Sequence, residues 1–133
     1  MKILTSALLI DDDQTTNFVN KKLLRDTGCL EEVLVALNGH EGINLLQEQY
    51  HAGRCPNLIL LDVNMPVMSG FDFLEAFNEL DIEKNSIKII MLTTSMHPRD
   101  INRLGDLPTH GFLNKPLTRE KLKGLLKEHF DID

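Results

Sequence analysis

The sequence predicts a doubly wound α/β domain, a five-stranded parallel sheet covered by helices on both faces, and three observations carry that reading. Short aliphatic runs alternate with longer segments of helical period, the pattern of repeated βα units. The apolar runs stop on polar or acidic residues, as strands do where they open onto a binding edge. At 133 residues, with 42% hydrophobic and 26% charged side chains, the chain has the size and composition of one globular domain.

The first strand is expected at residues 7–10. Lys2 ahead of an apolar stretch resembles the start of a signal peptide, but the stretch runs straight into Asp11-Asp12-Asp13 without a cleavage signature, so a buried strand is the better reading. Val19 and Leu23 mark the first helix by their spacing, and strand two follows at 32–37. Ile43, Leu46 and Tyr50 mark the second helix, and strand three takes 57–61. Phe73, Phe77 and Leu80 mark the third helix, and strand four takes 87–92. A fourth helix starts near Pro98 as a first-turn proline and is held to about two to three turns by Gly105 and Pro108. Strand five spans 110–114, and the last helix carries Leu122, Leu125 and Leu126 on one side with Thr118 as its N-cap. No repeat, low-complexity tract or Pro/Gly/Ser linker divides the chain, so residues 1–133 are expected to form one domain with no output domain.

Composition also excludes. A net charge of −6 and a pI near 5.3 argue against a nucleic-acid surface, which needs clustered Lys and Arg. Cys29 and Cys55 form no CxxC pair and read as reduced thiols. No stretch approaches the roughly 20 apolar residues that span a bilayer, so a cytoplasmic protein without a membrane partner is expected. The five histidines are scattered without ligand spacing, and Arg119, Lys121, Lys123 and Lys127 give the last helix a basic side that reads as a solvated face.

In an open parallel sheet, ligands bind outside the carboxyl ends of the strands. Asp11 and Asp12 end the first strand, Asp62 the third, Thr93 the fourth and Lys115 the fifth. With strand order 2-1-3-4-5 the first and third strands are neighbours, so the three acids meet. Carboxylates that close repel one another unless a cation compensates them. Oxygen-only ligands favour Mg2+ or a similar hard ion, which takes one or two carboxylates and keeps sites for water and phosphate oxygens. Lys115 adds a fixed positive charge and Thr93 a hydroxyl for an incoming phosphoryl oxygen. Asp is a competent nucleophile toward phosphorus when a metal screens the charge of both reactants, and Asp62 is the best-placed candidate. Singly, each residue also has an ordinary reading, as a helix cap, a strand threonine or a solvated lysine.

The segments Leu8-Leu9-Ile10-Asp11-Asp12-Asp13, Leu60-Leu61-Asp62-Val63-Asn64-Met65-Pro66-Val67-Met68-Ser69-Gly70, Met91-Leu92-Thr93-Thr94-Ser95 and Phe112-Leu113-Asn114-Lys115-Pro116 together resemble the receiver domain of bacterial two-component response regulators, of the stand-alone, chemotaxis-regulator-like kind, over essentially the whole chain. The resemblance implies a flavodoxin-like three-layer sandwich with five helices. It implies Asp62 as phosphoacceptor and metal ligand, Asp12 as a direct Mg2+ ligand, Asp11 as a ligand through water, and Asn64 as a ligand through its backbone carbonyl. By the same resemblance Lys115 and Thr93 contact the phosphoryl group, the peptide before Pro116 is cis, and Ser95 and Asn64 flank the acyl phosphate. Thr93 and Phe112 form the switch, Phe112 turning inward when Thr93 moves; in this sequence Phe112 also reads as a plain core aromatic. The implied partners are a histidine kinase or histidine phosphotransfer protein as donor and a downstream protein docking on the fourth helix, fifth strand and last helix. Gly105-Asp106-Leu107-Pro108-Thr109-His110-Gly111 departs from the small, Ala-rich turn usual before strand five.

Asp11-Asp12-Asp13-Gln14-Thr15 also fits the DxDxT pattern of haloacid-dehalogenase-like phosphohydrolases, with Asp11 as nucleophile and magnesium as metal. Against this, no later acidic pair completes that metal site, no segment serves as a cap, and Asp62 goes unexplained. A flavin binder of the same strand order would need an uncharged loop after strand one, where three acids would repel a phosphate. A receiver-like scaffold that takes no phosphate would have no use for the intact set of Asp11, Asp12, Asp62, Thr93 and Lys115. The sequence therefore predicts a signalling switch rather than an enzyme, phosphorylated on Asp62 with Mg2+.

Overall fold

The structure, a computed structural model, describes residues 3–63, 65, 68–94 and 109–132. Within them β1 (Leu4–Ile10), β2 (Leu30–Ala36), β3 (Leu58–Asp62), β4 (Lys88–Thr93) and β5 (Gly111–Asn114) form one sheet of order β2-β1-β3-β4-β5, all pairings parallel. The described helices are α1 (Gln14–Asp26), α2 (Gly39–His51), α3 (Gly70–Glu79) and α4 (Arg119–Phe130). The helix expected near Pro98 lies outside the described residues.

Alternation along the strands builds two cores. Leu9, Leu60 and Leu92 face one side of the sheet and pack with Leu24 of α1 and Leu122, Leu125, Leu126 and Phe130 of α4. Leu8, Ile10, Ile59, Leu61 and Met91 face the other and pack with Leu46 of α2 and Phe73, Leu74 and Phe77 of α3. The inner strands β3 and β4 are buried on both faces and so read as aliphatic runs, whereas the edge strands β2 and β5 are partly exposed. Burying each such leucine contributes about 1.5–3 kcal/mol.

Helix starts are fixed by side chains that accept from otherwise unpaired N–H groups. Asp13 caps α1 by accepting from Thr15 N, Asn38 caps α2 through Glu41 N, and Thr118 caps α4 through Lys121 N, as its sequence position suggested. Ser69 and Asp72 form a reciprocal capping box on α3, with distances of 3.2 and 3.1 Å.

Two sequence expectations are corrected. The helical spacing of Val19 and Leu23 predicts that both pack into the core, yet Val19 is 48% exposed and Phe18 is 73% exposed. The inward face is Asn17, Asn20 and Leu24, because the Asn17 amide donates to the Asp11 carbonyl at 2.8 Å and so sets the helix rotation. Val19, two residues on, lies about 200° around the helix from Asn17. His110 was placed in the fifth strand, which begins instead at Gly111. Its N–H donates to Ile89 O at 2.8 Å, but its ring Nδ1 accepts from Ile89 N at 3.0 Å, so a side chain replaces the backbone partner of a ladder.

Candidate functional site

The carboxyl ends of β1, β3, β4 and β5 converge as the register dictates. Ile10 pairs with Leu61, Asp62 with Leu92, and Thr93 with Asn114, so Asp11, Asp62, Thr93 and Lys115 arrive at one edge. Asp11 is tied at its backbone by its N–H to Ala36 O, 3.1 Å, and by Asn17. Beyond Asp62 the chain donates from Val63 N to Leu92 O at 3.1 Å, and Gly70, the first residue of α3, donates to Val63 O at 3.0 Å. Gly70 sits so close that a Cβ there would stand 2.7 Å from the Asp62 carbonyl oxygen. The Lys115 N–H donates to Thr93 O at 2.8 Å, and the Lys115–Pro116 peptide is cis.

Carboxylate oxygens of Asp11, Asp12 and Asp62 all lie within 4.8 Å of one another. Asp11 and Asp62 are buried, each 4% exposed, while Asp12 faces solvent. The Lys115 ammonium reaches Asp11 Oδ2 at 2.9 Å and Asp62 Oδ1 at 3.1 Å. Burial pulls the Lys115 pKa down, but hydrogen bonds and charge attraction from Asp11 and Asp62 outweigh it, leaving the pKa above the ordinary 10.5. As far as the lysine's own titration goes, the stabilisation is complete below the ordinary lysine value and is lost as pH rises through the raised one.

Among the described residues this is the acidic group able to hold a metal ion, and its chemistry fits one. Oxygen donors alone suit a hard divalent cation, and an exposed Asp12 beside two buried acids leaves room for water and phosphate oxygens. Replacing Asp12 by Asn is expected to weaken Mg2+ binding about tenfold or more while leaving metal-free stability unchanged or raised, since one of three like charges is removed. Thermal melts over a magnesium series check this; an unaltered magnesium dependence would exclude Asp12 as a ligand.

Of the other sequence candidates, Thr93 is 1% exposed, one residue past the partner of Asp62. Phe112 is 53% exposed on the edge strand, which overturns the plain core-aromatic reading. Asn64 and Ser95 lie outside the described residues. Asp13 belongs to helix capping: Thr16 Oγ1 donates to it at 2.6 Å and, with the Thr15 N–H bond, holds its carboxyl below the usual range. Asn17 was missed; the available signal was an asparagine in register with Leu24, at the spacing of a core face.

A family model described as the response regulator receiver domain matches residues 7–127. The chain is 31% identical over 121 residues to the two-component response regulator 24 of Arabidopsis thaliana, covering 91% of this chain and 81% of that protein. It is 30% identical over 123 residues to a probable chemotaxis protein CheY of Rhizobium etli, covering 92% and 90%. A crystal structure of a two-component response regulator from Cytophaga hutchinsonii superposes with a TM-score of 0.86 at 34% identity, covering 99% of this chain and all of that one.

Proposed function

Because the chain belongs to the response regulator receiver domain family, we propose that it accepts a phosphoryl group on Asp62, with Mg2+ held by Asp12, Asp62 and, through water, Asp11. As a receiver domain it is a phosphorylation-dependent signalling switch of two-component systems. The observation that carries the site assignment is the Lys115 ammonium bridging Asp11 and Asp62 at 2.9 and 3.1 Å, beside Asp12.

Magnesium, when bound, screens the negative charge of carboxylate and phosphoryl group. An Asp62 oxygen forms the new P–O bond while the donor's P–N bond breaks, for a phosphohistidine, and the electron pair leaves on the imidazole nitrogen. The Lys115 ammonium donates to the phosphoryl oxygens as charge gathers on them, and the Thr93 hydroxyl donates to another. Drawing Thr93 toward the phosphoryl group leaves space for Phe112 to turn inward from its exposed position. The face made by β5 and α4 then changes, shifting a two-state equilibrium toward the form a downstream protein binds. The donor in this account is a histidine kinase or phosphotransfer protein, and the protein acts in the cytoplasm. None of the described helices is long and apolar enough to cross a membrane.

The phosphohydrolase alternative loses support from the same geometry. Asp13, the second acid of that motif, serves as the N-cap of α1, accepting from Thr15 N and Thr16 Oγ1, and that reading leaves Asp62 without a role. Incubation with acetyl phosphate should add one phosphoryl group by intact mass only when Mg2+ is present. Incorporation that survives a chelator would contradict the metal assignment, and none under any condition would contradict the function.

A further inference from the structure

We propose that Lys121 is a positioning residue for phosphoryl transfer, clamping the backbone on both sides of Lys115 so that its ammonium stays aimed at the acidic cluster. The inference rests on the reading above that Lys115 serves transfer to Asp62. The Lys121 ammonium donates to the carbonyl of Asn114 at 2.8 Å and to the carbonyl of Pro116 at 3.0 Å, the residues immediately before and after Lys115. The Lys115 N–H is held as well, by Thr93 O at 2.8 Å, so the segment from 114 to 116 is tied to both β4 and α4. Farther along, Leu117 is buried in the same core as Leu122, a hydrophobic staple across the Thr118 cap, so the start of α4 is a rigid base for Lys121.

The charge of Lys121 is informative because of where it stands. It is the third residue of α4, with its N–H donating to Thr118 Oγ1 at 3.2 Å. That position favours an acid, since a helix N-terminus carries partial positive charge and a carboxylate there can complete a capping box. A cation, close in sequence to the cationic Lys115, is disfavoured there unless it has its own acceptors. The two carbonyls are those acceptors, and bonds to a charged donor are the stronger kind. Lys121 is also only partly exposed, unlike Lys123 and Lys127 of the same helix. Catalytic groups must be held to within about 0.5 Å, and a displacement of about 1 Å costs on the order of a hundredfold.

The test compares Lys121→Met and Lys121→Arg in the whole chain, both checked for folding by circular dichroism. Phosphorylation by acetyl phosphate is followed across a magnesium series, and the Lys115 side-chain ammonium is followed by NMR in the metal-free protein. Lys121→Met should lower the limiting phosphorylation rate about tenfold with the magnesium half-saturation unchanged, and should speed hydrogen exchange at the Lys115 ammonium. Lys121→Arg, which still offers several donors, should recover most of both. An unchanged rate and Lys115 signal in Lys121→Met would overturn the inference, as would an arginine variant as impaired as the methionine one. If the wild type itself takes no phosphoryl group, the underlying reading falls and the inference with it; a phosphorylated wild type with an indifferent Lys121→Met sinks the inference alone.

Discussion

Lys115→Met is expected to melt about 8 °C below the wild type in the absence of metal and to regain most of that difference when Mg2+ is added. Asp11 and Asp62 are each 4% exposed, and the side chain that compensates them is 20% exposed and within 3.1 Å of both. Removing one partner of a fully buried pair costs about 3–5 kcal/mol, because the other charge is left uncompensated. Here the ammonium is partly in contact with water, so about 2 kcal/mol is expected, and a domain of this size shifts by roughly 4 °C per kcal/mol. A divalent cation restores the lost compensation and no longer competes with the ammonium, so the magnesium-induced gain in melting temperature is larger than in the wild type. The same substitution removes a donor to the transferring group, and its phosphorylation rate falls by about 10²- to 10³-fold. A variant with wild-type melting and magnesium response would mean that the three acids do not depend on Lys115.

Gly70→Ala is expected to lose about 1–3 kcal/mol and to slow phosphorylation, although alanine is the better helix residue. The added Cβ would stand 2.7 Å from the Asp62 carbonyl and 3.0 Å from Val63 Cα, backbone atoms that yield only if the end of β3 moves. The Met91 methyl, at 3.2 Å, adds to the crowding. Gly124→Ala in α4 is the matched control: nothing lies within 4 Å of its Cβ position, so it should gain about 0.5–1 kcal/mol with no effect on the site. Urea denaturation of the two variants should give opposite signs. Equal effects would mean that α3 does not bear on the acceptor strand.

The acidic site was legible because strand ends are easy to find in this sequence. Aliphatic runs buried on both faces halt at Asp11, Asp62 and Thr93, and topology does the rest. Thr118 was legible as a cap because its hydroxyl precedes a periodic apolar stretch. Spacing alone failed at Val19, since the rotation of α1 is set by one buried amide, Asn17, that reaches back to Asp11. It failed at His110 because a ring nitrogen in place of a backbone acceptor leaves no periodic trace. Lys121 was read with its helix neighbours, and what separates it from them is two carbonyls in a loop that periodicity does not address. The family resemblance supplied what the residues alone left open, chiefly the division of roles among three adjacent acids.

The division of roles among those acids is tested most directly by the position of the phosphoryl group. The protein is phosphorylated with acetyl phosphate and Mg2+, the acyl phosphate is reduced with borohydride, and the modified residue is located by mass spectrometry. The modification is expected on Asp62 alone; modification of Asp11 instead, or of neither residue, would contradict the account.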